Sequence, residues 1–159
     1  VPRRDQIQMT DAEIDAFLGA AKTVILVSNG SNGFPHPMPM WFAMAPDRSV
    51  RMSTYRSSQK VRNLERDPRV ALLCESGSEY EELRGVVFYG EAELVHDYEL
   101  ACDTMLRASG TRPEGLPDDP DARKTILDAM QKQVAKRVVV RVRPQRIVSW
   151  DHAKLGGTY

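Results

Sequence analysis

A chain of 159 residues with 42% hydrophobic side chains can bury one sizeable core, and nothing in it argues for two. Its 22 acidic and 22 basic side chains cancel, so no net field would gather nucleic acid or an anionic membrane, and any basic site must be local. No apolar run approaches the roughly 20 residues that span a bilayer, and the two cysteines, Cys74 and Cys102, form neither a Cys-x-x-Cys pair nor a metal spacing. The expectation is a soluble, unexported cytoplasmic protein with reduced thiols and no nucleic-acid or membrane partner.

In chain order, Thr10-Asp11-Ala12-Glu13 is a capping-box pattern, and Ile14, Phe17, Leu18 and Ala21 follow at helical spacing, predicting a short helix laid on a sheet. Thr23 to Ser28 is a β-branched run, Asn29 to Gly33 a turn cluster, and Pro37 to Met44 a second strand, together a hairpin. Pro46 to Ser49 turns the chain into a third strand, Val50 to Thr54, and then a helix over Ser57 to Glu65 that must stop before Asp67-Pro68. Arg69 to Glu75 reads as a buried strand, Ser76 to Leu83 as a polar connection, and Val86 to Val95 as a long strand with Gly90 marking a bulge.

Tyr98 to Ala108 is helical and ends before Gly110, the segment Arg112 to Pro120 is a loop, and Ala122, Ile126, Met130 and Val134 mark a further amphipathic helix. Strand character returns where Val138, Val140 and Val142 alternate with Val139, Arg141 and Arg143, and continues after Pro144 to Trp150. Antiparallel hairpins dominate without a strand-helix-strand crossover rhythm. The fold class expected is therefore mainly β with helices (α+β), a small antiparallel barrel of six or seven strands. It forms a single domain over residues 1–159, with a helical arm at 1–22, a helical insertion at 97–136 and a tail at 145–159.

The most pointed feature is the run from Ser53 to Leu64, where a strand ends in small polar residues and bases just as a helix begins. Hydroxyls, free amides at a helix N-terminus and cations converging on one point suit an anionic group, which suggests a phosphate-bearing cofactor. The plain alternative is that Ser57-Ser58 caps the helix while Lys60 and Arg62 face solvent. The three histidines show no ligand spacing, so no metal site is expected; His152, Tyr55 and Tyr89 are at most possible proton or hydrogen-bond donors. No phosphate-binding P-loop, nucleophile elbow or dinucleotide fingerprint occurs.

The order of helix, hairpin, strand ending in Arg56-Ser57-Ser58-Gln59-Lys60, helix, Asp67-Pro68-Arg69-Val70-Ala71-Leu72 and Val87-Phe88-Tyr89-Gly90-Glu91-Ala92 resembles the flavin/deazaflavin split β-barrel family. That family includes pyridoxamine 5'-phosphate oxidase-like proteins and oxidoreductases that use coenzyme F420. Pro39-Met40-Trp41-Phe42, Ser58-Gln59-Lys60 and Ser149-Trp150-Asp151-His152 are most similar to the F420-dependent subgroup. The resemblance implies a cofactor phosphate at Ser57, Ser58, Gln59 and Lys60 with Arg56 and Arg62 beside it. It places the ring against Met38, Pro39, Met40, Trp41, Met52, Ser53 and Thr54. It also implies a homodimer with cofactor sites at the interface, closed in part by Trp150 and the tail.

The activity so implied is hydride transfer from the reduced deazaflavin to an electron-poor acceptor such as an enone, quinone or tetrapyrrole, with no catalytic side chain assigned. FMN is the alternative cofactor, in a reductase or oxidase. The Arg-x-His substrate motif of true pyridoxamine phosphate oxidases is missing from Asp151-His152-Ala153-Lys154, which weakens the oxidase. A non-catalytic carrier of flavin, deazaflavin or haem is the alternative from another class.

Overall fold

A computed structural model describes residues 2–157. Its strands are β1 (Thr23–Asn29), β2 (Pro35–Trp41), β3 (Ala43–Met44), β4 (Val50–Tyr55), β5 (Arg69–Ser76), β6 (Arg84–Val95) and β7 (Arg137–Asp151). They form one seven-stranded sheet in the order β2-β1-β5-β6-β7-β4-β3, with every pair antiparallel. The sheet curls into a split half-barrel, the α+β class expected. The helices are α1 (Arg3–Ile7), α2 (Asp11–Ala20), α3 (Gln59–Arg66), α4 (Tyr98–Ser109) and α5 (Pro120–Val134), with single 3-10 turns at Tyr80–Glu82 and His152–Leu155.

Alternation along the strands places Val24 and Leu26, Val50 and Met52, Leu72 and Cys74, Val86 and Phe88, and Val140 and Val142 on the concave face, where they form the main core. Ile14 and Leu18 of α2 close one side of it. The helix is started by the predicted capping box: Thr10 Oγ1 accepts from the Glu13 amide at 3.3 Å and the Glu13 carboxylate accepts from the Thr10 amide at 2.7 Å. A second cluster of Ala101, Cys102, Leu106, Leu116 and Val134 packs α4 and α5 on Val139 from the convex side. Covered on both faces, β7 buries Val138, Val139 and Val140 alike, so the expected outward position of Val139 does not hold.

The segment Pro37 to Met44 is not one strand. Its pairing with β1 runs from Pro35 to Trp41, the buried Phe42 still donates its amide to Lys22 O at 3.3 Å, and Ala43–Met44 then pair with β4 instead. Because β2 and β3 are the two outermost strands, Phe42 carries the chain from one edge of the curled sheet to the other. Beyond that crossing the edges part, and the gap is the split.

The Phe42 bond also fixes the phase of the β1–β2 ladder, so positions 36, 38 and 40 aim their amides at β1 while 35, 37 and 39 aim outward. Three of the four outward positions, 35, 37 and 39, are proline, so that edge offers no donor there and Trp41 alone keeps an outward amide. The long β6 carries a register shift at Tyr89/Gly90, and a Cβ on Gly90 would stand 2.7 Å from Arg143 O. Residues 145–151, expected in the tail, belong to β7. Among the described residues no helix is long and apolar enough to cross a membrane.

Candidate functional site

The site is built from the free edge of β4. The Ala45 amide donates to Ser49 O at 2.9 Å, so 49, 51, 53 and 55 direct their backbone groups toward β3. That strand has ended at Ala43, opposite Arg51, and the Ser53 and Tyr55 amides face the split. Ser53 O accepts from Arg137 Nη1 at 3.3 Å and Tyr55 O accepts from the Ser58 amide at 3.1 Å. Side chains alternate the other way: Val50, Met52 and Thr54 point inward, Arg51, Ser53 and Tyr55 outward. Met52 is fully buried in the core, so its side chain supports β4 from within rather than meeting a ligand.

Lys60 and Thr54 depart from their expected roles together. Lys60 lies on the inner face of α3 with Val61, Asn63 and Leu64, is only 8% exposed, and donates from Nζ to Thr54 Oγ1 at 3.1 Å. Neither a solvated helix face nor an outward-reaching lysine describes it. Burial first, and then the Arg137 charge, pull its pKa below the ordinary lysine value. Arg137 opens β7 directly across from Tyr55, with its guanidinium 4.4 Å from the Tyr55 ring centroid and Nε donating to Gln133 O at 3.0 Å. Arg56 donates from Nη2 to Ala135 O at 3.0 Å, while Ser57 and Arg62 are exposed. Among the described residues none of Arg56, Lys60, Arg62 and Arg137 forms an ion pair with a carboxylate.

The capping explanation for the serines fails for Ser58, which stands at the N-cap of α3 yet makes no capping bond. Its Oγ and that of Ser53 are buried without a partner among the described residues. Gln59 is otherwise engaged: its amide donates to Asn63 Oδ1 at 2.9 Å, and Asn63 Nδ2 donates to Ser28 Oγ at 3.0 Å, tying α3 to β1. On the opposite edge Met38, Pro39 and Trp41 are exposed and Met40 packs partly on the core. Lys22 holds Trp41, with Nζ 4.1 Å from the ring centroid and donating to Ser109 O at 3.2 Å.

Within one chain Trp150 is remote from this cluster. It pairs with Gly85, where an added Cβ would come within 2.4 Å of its ring, and along β7 it is roughly 40 Å of extended strand from Arg137. His152 is equally distant, its Nδ1 3.0 Å from Tyr80 O. Both cysteines are free and buried, with Cys74 pushed up to about 11 chiefly by burial. Among the described residues no group of three or more His, Cys, Asp or Glu could hold a metal. Sequence reading missed Arg137, whose only advance signal is an arginine opening a valine-rich strand.

A curled, seven-stranded antiparallel half-barrel with a cationic cluster at its split defines a split-barrel protein. The family described as pyridoxamine 5'-phosphate oxidase matches residues 10–151, and the chain belongs to it. A conserved hypothetical protein from Mycobacterium tuberculosis, Rv2991, is 35% identical with a TM-score of 0.81, over 98% of this chain and 93% of that one. An F420 reductase shares the fold at 23% identity and a TM-score of 0.59, over 84% and 94% of the two chains. The haem storage protein HutZ from Vibrio cholerae shares it at 20% and 0.64, over 90% and 97%. Comparison with curated proteins found no match.

Proposed function

We propose that this protein is an F420-dependent oxidoreductase, in which bound reduced deazaflavin supplies hydride from C5 to an electron-poor organic acceptor. The observation that carries the reading is the group of cations without counter-ions at the start of α3, Lys60 above all with Arg56 and Arg62, beside the orphaned hydroxyl of Ser58. A buried cation with no carboxylate and a buried hydroxyl with no partner are costly alone, and a phosphate relieves both. The residues fit such a group. The chain's own contribution is to bind the phosphate, offer the Ser53 and Tyr55 amides to the polar edge of a ring, and exclude water with Trp41. Arg62, exposed and unpaired, and Arg56 are available to a longer anionic tail, which favours F420 over FMN.

The homodimer belongs to the same proposal. Ile25, Val27, Ala71, Leu73, Val87 and Val148 share the convex face and stay only partly buried, an apolar surface suited to a second copy. Pairing there would let Trp150 of the partner subunit approach the split that it cannot reach within its own chain. The test is titration of the protein with oxidised F420 and with FMN, followed by fluorescence and thermal unfolding. Saturation at 100 times Kd should add about 2.7 kcal/mol of apparent stability. F420 preference upholds the reading, FMN preference replaces it with a flavoprotein, and binding of neither, or of haem alone, overturns it.

A further inference from the structure

A cavity of about 420 Å³ opens between α4, α5 and the free edge of β4, within the range of small-molecule sites. Its walls are Trp41, Met105, Leu106 and Met130, with Ser53 and Arg137 at the β4 end. None of residues 56–62 lines it, so it is separate from the α3 N-terminus. Two methionines and a tryptophan held flat by Lys22 make an adaptable, polarizable slot suited to a planar conjugated body. Arg137 is the one charged side chain among the lining residues. Its Nε and Nη1 are fixed by Gln133 O and Ser53 O, and no described residue accepts from Nη2.

A single preorganised guanidinium at one end of an apolar slot selects a single anionic group at one end of an apolar molecule. We propose that this cavity binds a planar conjugated carboxylic acid, with the ring system between Met105, Met130 and Trp41 and the carboxylate on Arg137 and the Ser53 hydroxyl. As the acceptor pocket of a reductase it rests on the F420 reading, since the cavity borders the split where the cofactor ring would lie. As a binding site for an aromatic acid it does not.

Calorimetric titration with 2-naphthoate and its neutral isostere 2-naphthamide tests it on the apoprotein. The wild type should bind naphthoate at least tenfold more tightly than naphthamide. Arg137→Gln should bring the two to within threefold by weakening naphthoate alone, its retained naphthamide binding showing the cavity intact. Lys60→Met should keep the preference, and Met105→Trp, which fills the slot, should abolish both. Equal binding of the two probes by the wild type, or an undiminished preference in Arg137→Gln, overturns the inference. F420 titration of the same preparations separates the readings: naphthoate selectivity without F420 binding leaves the aromatic-acid site standing and removes the reductase.

Discussion

Replacing Lys60 by methionine separates a binding lysine from a structural one. In the apoprotein the change removes one hydrogen bond, 3.1 Å to Thr54 Oγ1, and strands a buried hydroxyl, a loss of about 1–3 kcal/mol. Against this, it removes a charge that burial and Arg137 both disfavour, as the lowered pKa records. These terms oppose and are of similar size. The variant should keep its stability to within about 1 kcal/mol, or about 2–4 °C in Tm for a chain of this length. Cofactor affinity has no such compensation. Loss of one charge-assisted contact to phosphate, about 1.5–3 kcal/mol, should weaken F420 binding roughly 10- to 150-fold.

The titration of the same group gives a second readout. Because Lys60 releases its proton more readily in the native state, the unfolded chain binds more protons between the lowered native pKa and the ordinary value of 10.5. Stability contributed through this group therefore rises with pH across that window, and the destabilising charge is fully present below it. Lys60→Met should flatten this part of the stability profile, measured by denaturant unfolding at a series of alkaline pH values. A variant that loses more than about 3 kcal/mol while binding F420 as the wild type does would refute the reasoning and make Lys60 a core strut.

Other substitutions test the scaffold. Asn63→Leu strips a fully buried side chain of its bonds to Gln59 and Ser28 and should cost about 1–3 kcal/mol for each group left unpaired, read by urea unfolding; a neutral result would remove the tie between α3 and β1. Gly85→Ala places a methyl 2.4 Å from the Trp150 ring and should cost about 1–3 kcal/mol with a changed near-ultraviolet circular dichroism of tryptophan; an unchanged spectrum would mean that the ring does not lie over Gly85. Thr10→Ala removes the α2 cap and should cost about 1 kcal/mol without altering F420 affinity, since the capping bonds of Thr10 run to Glu13 and to none of the site residues.

Signals that act over a few residues were legible. The Thr10 and Glu13 pair starts α2, Gly110 in the left-handed region at φ 76° ends α4, and Gly90 marks the register shift of β6. What the sequence concealed depends on distant pairing. Arg137 reaches the site because β4 and β7 align Tyr55 with it, and a chain read locally gives no sign of that register. Lys60 is polar where its helix is buried, so a rule that sends lysine to solvent misplaces it. The crossing at Phe42 is hidden for a different reason: the apolar run of Pro37 to Met44 continues unbroken while the pairing partner changes from β1 to β4.

That crossing also explains why a split should persist in a sheet that could otherwise close. Two facing strand edges attract each other through their unpaired amides and carbonyls, and closure would remove the gap in which a flat ligand could lie. On β2 the prolines at 35, 37 and 39 withdraw three of the four outward donors from the facing edge, so closure would gain little pairing. One of the β4 carbonyls, Ser53 O, is taken by Arg137, which brings a cation to the gap while satisfying the acceptor. The open edge, the cation and the free Ser53 amide thus arise from one arrangement, and under the proposed function it is the cofactor that would take up the Ser53 amide.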